Sequence, residues 1–481
     1  PSLRSPLQRS FLRAVSVIFP TVIPNFPTGV PLDRLPIPAA YVQGFGDPRL
    51  GENIRSNYFS AFVQNDLKAK ENLLVKFGVR YDLDRINLTP NNSGNFSPRI
   101  AVAYSPKNLQ NLRFKAGYGL FFGFLTFGTS AVARQQEVGR LQLLTLPFPF
   151  STLPGLSPGG TLPQSTTLPQ GPGLDLVPQF SAVERVDPNL RSSYSQQANL
   201  GIDYILNKKT EISLAYNFVR GIKLVSRRNI NPIVRPVPNN PLLSMLTGRV
   251  DPTQGVINQT ESASDSYYNA LTATVLYRFS PGFDILGTYT YSKAIDNVLQ
   301  VFPTEVRLID VAANSLNIRN ERGLSIQDLR HRFILSGNVS LSYSKNPLLR
   351  DYQLSFIVSA NGSRPYNLIT STDLNMDGSD GDRPNVGRNT GITPGFAAFD
   401  VRFQRVVKFS EIYKLNLIFE VFNLFNKTNI DPNAIDRNFL PDMQGNFQLP
   451  TQENGRFTLP RERFRGAFLP RQIQLGLRFS F

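Results

Sequence analysis

RQIQLGLRFSF, residues 471–481, carries the pattern on which the fold turns. Ile473, Leu475, Leu477, Phe479 and Phe481 take every second position, with Gln472, Gln474, Gly476, Arg478 and Ser480 between them. Strict alternation marks a strand with one apolar and one polar face. A tilted strand of roughly 9 to 11 residues crosses a bilayer, so this segment is long enough to span one. A soluble sheet can hold one such strand as well, so the reading depends on repetition.

The pattern repeats. Residues 73–83 place Leu73, Val75, Phe77, Val79 and Tyr81 against Lys76, Gly78, Arg80 and Asp82. In 209–218, Ile212, Leu214, Tyr216 and Phe218 oppose Glu211, Ser213 and Asn217. Residues 330–343 set Phe333, Leu335, Val339, Leu341 and Tyr343 against Arg332, Ser336, Asn338 and Ser340. Further strands are expected at 39–46, 57–67, 96–105, 112–124, 192–206, 267–280, 283–295, 351–363, 397–409 and 413–426. That makes about fourteen strands, none with sustained helical spacing.

Connection length adds an independent signal. Short turns stand at 68–72 (KAKEN), 105–111, 206–209, 280–282, 344–350 and 410–413, and long connections at 125–191, 225–266, 296–329, 364–396 and 427–469. Their alternation is the rhythm of an up-and-down barrel, whose periplasmic turns are short and whose outer loops are long. With the last strand ending in the periplasm, every long loop falls outside. Before residue 39 the reading changes. A short helix is expected after Ser5 and Pro6, and then Pro20, Pro24, Pro27, Pro31, Pro36 and Pro38 forbid a regular element. The domain reading is therefore a Pro-rich irregular segment over 1–38 and a barrel over 39–481.

Composition excludes other classes. The 481 residues contain no Cys and a single His, His331, which removes thiolate metal sites, disulfides and multi-His centres. No run approaches the roughly 18 apolar residues of a membrane helix. The net charge of +16 is spread along the chain and forms no basic block, so no nucleic-acid partner is expected. The chain begins at Pro1, and the expectation is a piece of a longer precursor.

Arg80, Lys115, Asp203, Arg278, Arg332, Glu420 and Arg478 lie opposite the apolar rows. A lipid-facing Arg or Lys at mid-membrane costs about 2 to 4 kcal/mol, so these side chains are expected to face the interior and the apolar rows the lipid. Tyr81, Tyr104, Tyr204, Tyr343 and Tyr413 fit an interfacial girdle. The soluble alternative needs a second layer, which the strand-rich sequence does not supply.

The residues also resemble a family. NGSRPYNLITSTDLNMDGSDGDRPNVGRNTG (361–391), TYTYSKAIDN (288–297), RGLSIQDLRHRFILSG (322–337), FEVFNLFNKTN (419–429), FVQNDLKAKENLLVKFGVRYDL (62–83) and the terminal LRFSF are similar to motifs of TonB-dependent outer-membrane receptors. The nearest likeness is to the Oar-like group, whose full-length members carry an N-terminal carboxypeptidase-regulatory-like domain. The resemblance implies a 22-strand barrel of which this chain is about the C-terminal two thirds, with an internal plug and a TonB contact outside it. Unpaired strand edges in lipid cost several kcal/mol for each group, so these residues alone are expected to leave a gap between first and last strands.

One loop suggests metal chemistry. Asp373, Asn375, Asp377 and Gly378 follow the first half of a calcium loop, with Asp380 and Asp382 adding carboxylates. Pro384 stands where the bidentate Glu belongs, and the alternative is an acidic turn pairing with Arg364, Arg383 or Arg388. His331 reads as a strand residue near the outer rim, Glu420 as a carboxylate paired with a neighbouring Arg, and 157–173 as a Pro/Gly-rich external loop. Nothing argues for catalysis. The expectation is the barrel of a TonB-dependent transporter in the bacterial outer membrane, taking up a siderophore, oligosaccharide or peptide. Its partners would be lipid, lipopolysaccharide phosphates at the rim, and the TonB complex. A passive porin or adhesin on the same barrel is the alternative.

Overall fold

The computed structural model describes residues 40–45, 55–125 save 88 and 91, 142–147, 177–341 save 239, 281 and 300–311, and 351–481 save 371, 379–381 and 443. The expected Pro-rich segment 1–38, the loop 157–173, Tyr343 and Asp380 lie outside the described residues.

In chain order the strands begin with β1 (Ala40–Phe45), β2 (Ser56–Lys70), β3 (Leu73–Ile86), β4 (Asn92–Tyr104), β5 (Leu112–Phe122), β6 (Gln142–Pro147) and β7 (Ser181–Val186). Next come β8 (Tyr194–Asn207), β9 (Thr210–Asn229), β10 (Val256–Ser280), β11 (Phe283–Asp296), β12 (Gly323–Leu324), β13 (His331–Ser340) and β14 (Tyr352–Asn361). The last are β15 (Pro365–Tyr366), β16 (Gly391–Ile392), β17 (Phe396–Lys408), β18 (Lys414–Phe422), β19 (Gln452–Glu453), β20 (Arg456–Thr458) and β21 (Gln472–Ser480). Among the described residues an α-helix, α1 (Pro241–Thr247), starts at Asn240, whose side chain accepts the Leu243 N–H at 3.0 Å.

The long strands form an antiparallel meander, each paired with the next from β2 through β3, β4, β5, β8, β9, β10, β11, β13, β14, β17 and β18 to β21. Tight turns join them at one end. Asn207 Oδ1 accepts the Lys209 N–H at 2.8 Å, and Gly282 takes φ +82 between β10 and β11, a left-handed backbone that suits glycine. All the long connections leave from the other end, as expected.

Register shows how the two faces are kept apart. A single row across the sheet runs Phe114, Ile202, Leu214, Ala273, Tyr289, Phe333 and Ala360. The row next to it, one residue along each strand, runs Arg113, Asp203, Ser213, Thr274, Thr288, Ile334 and Ser359. Followed strand to strand, Arg80, Lys115, Asp203, Arg278, Arg332, Glu420 and Arg478 all fall on the polar face. The apolar face is uncovered, with Leu475 and Leu477 each 77% exposed, and among the described residues no second protein layer packs on it. Tyr104, Tyr204 and Tyr413 are exposed at the short-turn end.

The connections hold more structure than alternation shows. The strand expected at 39–46 is β1, but it pairs with β6 and not with β2, and β6 pairs with β7. β7 then runs parallel to Val256–Thr260 of β10, so this patch belongs to the long-connection end. β10 itself starts at Val256, well before the expected 267, because VINQTESASDS has no greasy face to alternate. A separate four-stranded sheet, β15, β16, β20 and β19, forms from connections expected to be loops. With the short β1, β6, β7 and β12 included, the main sheet has 17 strands among the described residues. β2 pairs only with β3 and β21 only with β18, so among the described residues the sheet keeps two edges.

Candidate functional site

Burial concentrates in the long connections, which makes their end of the sheet the candidate site. Tyr366, Leu368, Phe439, Phe457 and Leu459 form one apolar cluster there, and Ile86, Leu125, Val186 and Leu190 another. The same end holds a network of buried charge. Arg383 donates to both Glu321 carboxylate oxygens at 2.7 and 3.0 Å, in the forked geometry that suits guanidinium and carboxylate. Arg388 Nη1 reaches the Asp296 carboxylate at 2.7 Å and the Asp296 carbonyl at 2.8 Å, while Nη2 reaches the Val298 carbonyl at 2.9 Å. The first pair joins the connection after β14 to the connection after β11, and the second joins it to Asp296, the last residue of β11. Charges this deep are costly unless each is paired, and here they are.

The acidic turn at 373–382 sits against this network. Asp373 accepts the N–H groups of Asp377 at 3.0 Å and Gly378 at 2.8 Å, and Asp382 those of Leu374 at 2.7 Å and Asn375 at 3.3 Å. Gly378 holds φ +86 in the bend, as a calcium-type loop would ask of it. The turn docks outward as well: Asn375 Nδ2 donates to the Ala313 carbonyl at 2.6 Å, and the Ile233 N–H donates to the Asp377 carbonyl at 2.9 Å. Burial raises the Asp373 carboxyl to about 6, with help from the charges of Asp377 and Asp382, while the Gly378 and Asp377 N–H groups pull it down. Burial also raises Asp382.

The structure thus brings Asp373, Asn375, Asp377 and Asp382 together, with carboxylate oxygens already engaged by backbone donors. Among the described residues no three His, Cys, Asp or Glu side chains are grouped to hold a metal ion. Arg383 and Arg388, expected as partners of the turn, bind Glu321 and Asp296, although Arg383 still pulls on the Asp382 charge. The guanidinium behind the turn is Arg249, 2% exposed, which donates to the Asn231 carbonyl at 2.9 Å. Burial lowers its proton affinity and the Asp377 charge partly restores it. Arg249 and Glu321 carry no periodic or motif signal, and Asp296, though it lies within TYTYSKAIDN, has nothing in that stretch to mark it as the partner of Arg388.

On the polar face the charges form short-range pairs. Arg80 Nε lies 2.9 Å from Asp82, and its Nη2 donates to the Tyr58 hydroxyl at 2.6 Å. Lys115 pairs with Asp203, and Arg402 stands 3.6 Å from Glu420, the neighbouring Arg that Glu420 was expected to have. His331 opens β13 on the apolar face, its Nδ1 2.6 Å from the Tyr289 hydroxyl.

A family model described as an outer membrane beta barrel domain matches residues 85–387. No curated protein matches the chain. Among solved structures, the outer membrane transporter YddB from Escherichia coli is similar at 10% identity and a TM-score of 0.51, over 88% of this chain and 45% of that one. A mutant of the ferric enterobactin receptor PfeA from Pseudomonas aeruginosa is similar at 14% identity and 0.49, over 88% and 45%. The FrpB iron transporter from Neisseria meningitidis gives 11% and 0.46, over 89% and 46%. The chain therefore spans less than half the length of each of these structures.

Proposed function

The chain belongs to the outer membrane beta barrel domain family, and from that membership we propose that it forms the barrel portion of a TonB-dependent transporter of the Oar-like group. It is an outer-membrane protein. Its cargo on this reading is a large scarce nutrient, such as a siderophore, an oligosaccharide or a peptide. The observation that carries the reading is the unbroken apolar face from β2 to β21, with every long connection at one end. On this reading lipid lies outside, paired charge inside and the buried crown at the mouth, where a ligand would first be met. The motifs at 361–391 and 322–337 support the Oar-like assignment, and the excess of Lys and Arg favours anionic cargo. TonB, reached through a plug, would drive uptake.

The test is uptake by cells carrying the intact receptor, with and without TonB. Candidate nutrients are supplied in turn as sole source, and growth is expected to stop when TonB is deleted. Growth that persists at the same rate would make the barrel a passive pore.

A further inference from the structure

The outward face changes character toward the long-connection end. Successive rows run from Gly287 and Leu335, through Tyr289 and Phe333, to Tyr291 and His331, and then to Lys293 opposite Asn269 and Arg220 opposite Tyr267. Above the last row Arg322 comes down from the connection after β11, so that two guanidinium groups share one ring. Arg220 Cζ lies 5.1 Å from the Tyr267 centroid and Arg322 Cζ 4.8 Å. Neither forms an ion pair among the described residues, and Lys293 is exposed with none either. Arg220 Nε is buried and has no hydrogen-bond partner among the described residues, an unmet donor of the kind that native proteins rarely leave.

The order is aliphatic, then aromatic, then cationic, and it follows the layers of a lipid leaflet from acyl chain to headgroup. We propose that Arg220, Lys293 and Arg322, grouped around Tyr267, bind the phosphate of a phosphorylated lipid headgroup in the outer leaflet. Guanidinium groups present paired donors to phosphate oxygens, and the ring holds both in place through its π face. A soluble anion would have no reason to be met on the lipid-facing side, so the lipid is the source. The proposal rests on the outer-membrane reading, with the long connections outside.

The test uses intact receptor purified in detergent. Binding of lipopolysaccharide, with its phosphates or enzymatically stripped of them, is measured for wild type, R220Q/R322Q and R405Q. Arg405 lies over Tyr352, 4.8 Å away, at the opposite end of the same face and serves as the control. The double variant is expected to bind the phosphorylated lipid roughly tenfold more weakly, the size of a lost charge-assisted contact, while R405Q matches wild type. The stripped lipid should bind all three proteins alike. Equal affinity of wild type and double variant for the phosphorylated lipid overturns the site, and displacement by inorganic phosphate as effectively as by lipid makes it a free-anion site and overturns the lipid. Heat-modifiable migration reports folding; if the double variant fails it, R322Q, at an exposed side chain, and K293Q carry the same comparison. Orientation is read separately by labelling Gln254→Cys on whole cells against the parent receptor without that substitution, so unlabelled cells fault the orientation and not the site.

Discussion

Leu477 and Arg478 are neighbours in sequence and lie on opposite faces of the sheet, one on the apolar face and the other on the polar one. Leu477→Arg is expected to weaken the assembled receptor by about 2 to 4 kcal/mol, and Arg478→Leu by far less. Urea titration of receptor folded in liposomes measures the difference. Glu321→Ala leaves Arg383 buried without its carboxylate and is expected to cost about 3 to 5 kcal/mol in the stability of the crown, read by protease resistance of the loops. Asp373 gives a pH dependence. Its carboxyl holds a proton to about pH 6 in the fold, above the ordinary carboxyl value of 3.8, so the folded turn binds protons more strongly than the unfolded chain. The stabilisation is complete below the lower value and is lost as pH rises to the higher one. Exchange protection of the Asp377 and Gly378 amides, corrected for intrinsic rate, should fall across that window in wild type and stay level in Asp373→Asn. Calcium at this turn is a proposal: the ion would have to displace those N–H donors. Calorimetry with calcium near neutral pH, on the intact receptor and on Asp377→Ala, decides it, since equal heats leave the turn to its amides alone.

At the scale of the element, the strands were legible wherever one face meets lipid and the other does not, since only then does hydrophobicity alternate. β21, β3 and β13 were read in this way, and the polar first half of β10 was not, because both its faces lie among loops. Two-residue strands such as β15 and β16 are too short to carry any period. The buried ion pairs were invisible for a related reason: Arg388 meets Asp296 across 92 positions, and charge alone does not announce its partner. The acidic turn was visible as a motif, and what its oxygens do was not. Gly255 shows how tightly the β7 patch is docked. A Cβ there would come within 1.9 Å of the Ser181 carbonyl oxygen, a backbone atom that cannot swing aside. Gly255→Ala is expected to loosen β7 from β10 at a cost of about 1 to 3 kcal/mol while the membrane strands persist. Limited proteolysis should then cut the connection between β5 and β8 faster, with heat-modifiable migration unchanged.

For the molecule as a whole, the decisive quantity is the balance at the sheet's two edges. β2 and β21 each present a row of backbone groups with no neighbour among the described residues, and in hydrocarbon every unmet group costs several kcal/mol. A product of these 481 residues alone is expected not to run as a compact, heat-modifiable species in SDS gels. A compact band that unfolds only on boiling would mean that the edges are sealed by another route. The crown obeys a different logic. Its tethers run from the connection after β14, Arg383 to Glu321 in the connection after β11 and Arg388 to Asp296 at the very end of β11, and neither reaches further down the wall. Two adjoining connections held in this way form a transplantable cassette. Moved together onto a foreign barrel, with Asp296 carried along at the strand end, they would bring their own counter-charges, whereas either one grafted singly would strand a guanidinium or a carboxylate in a dry interior.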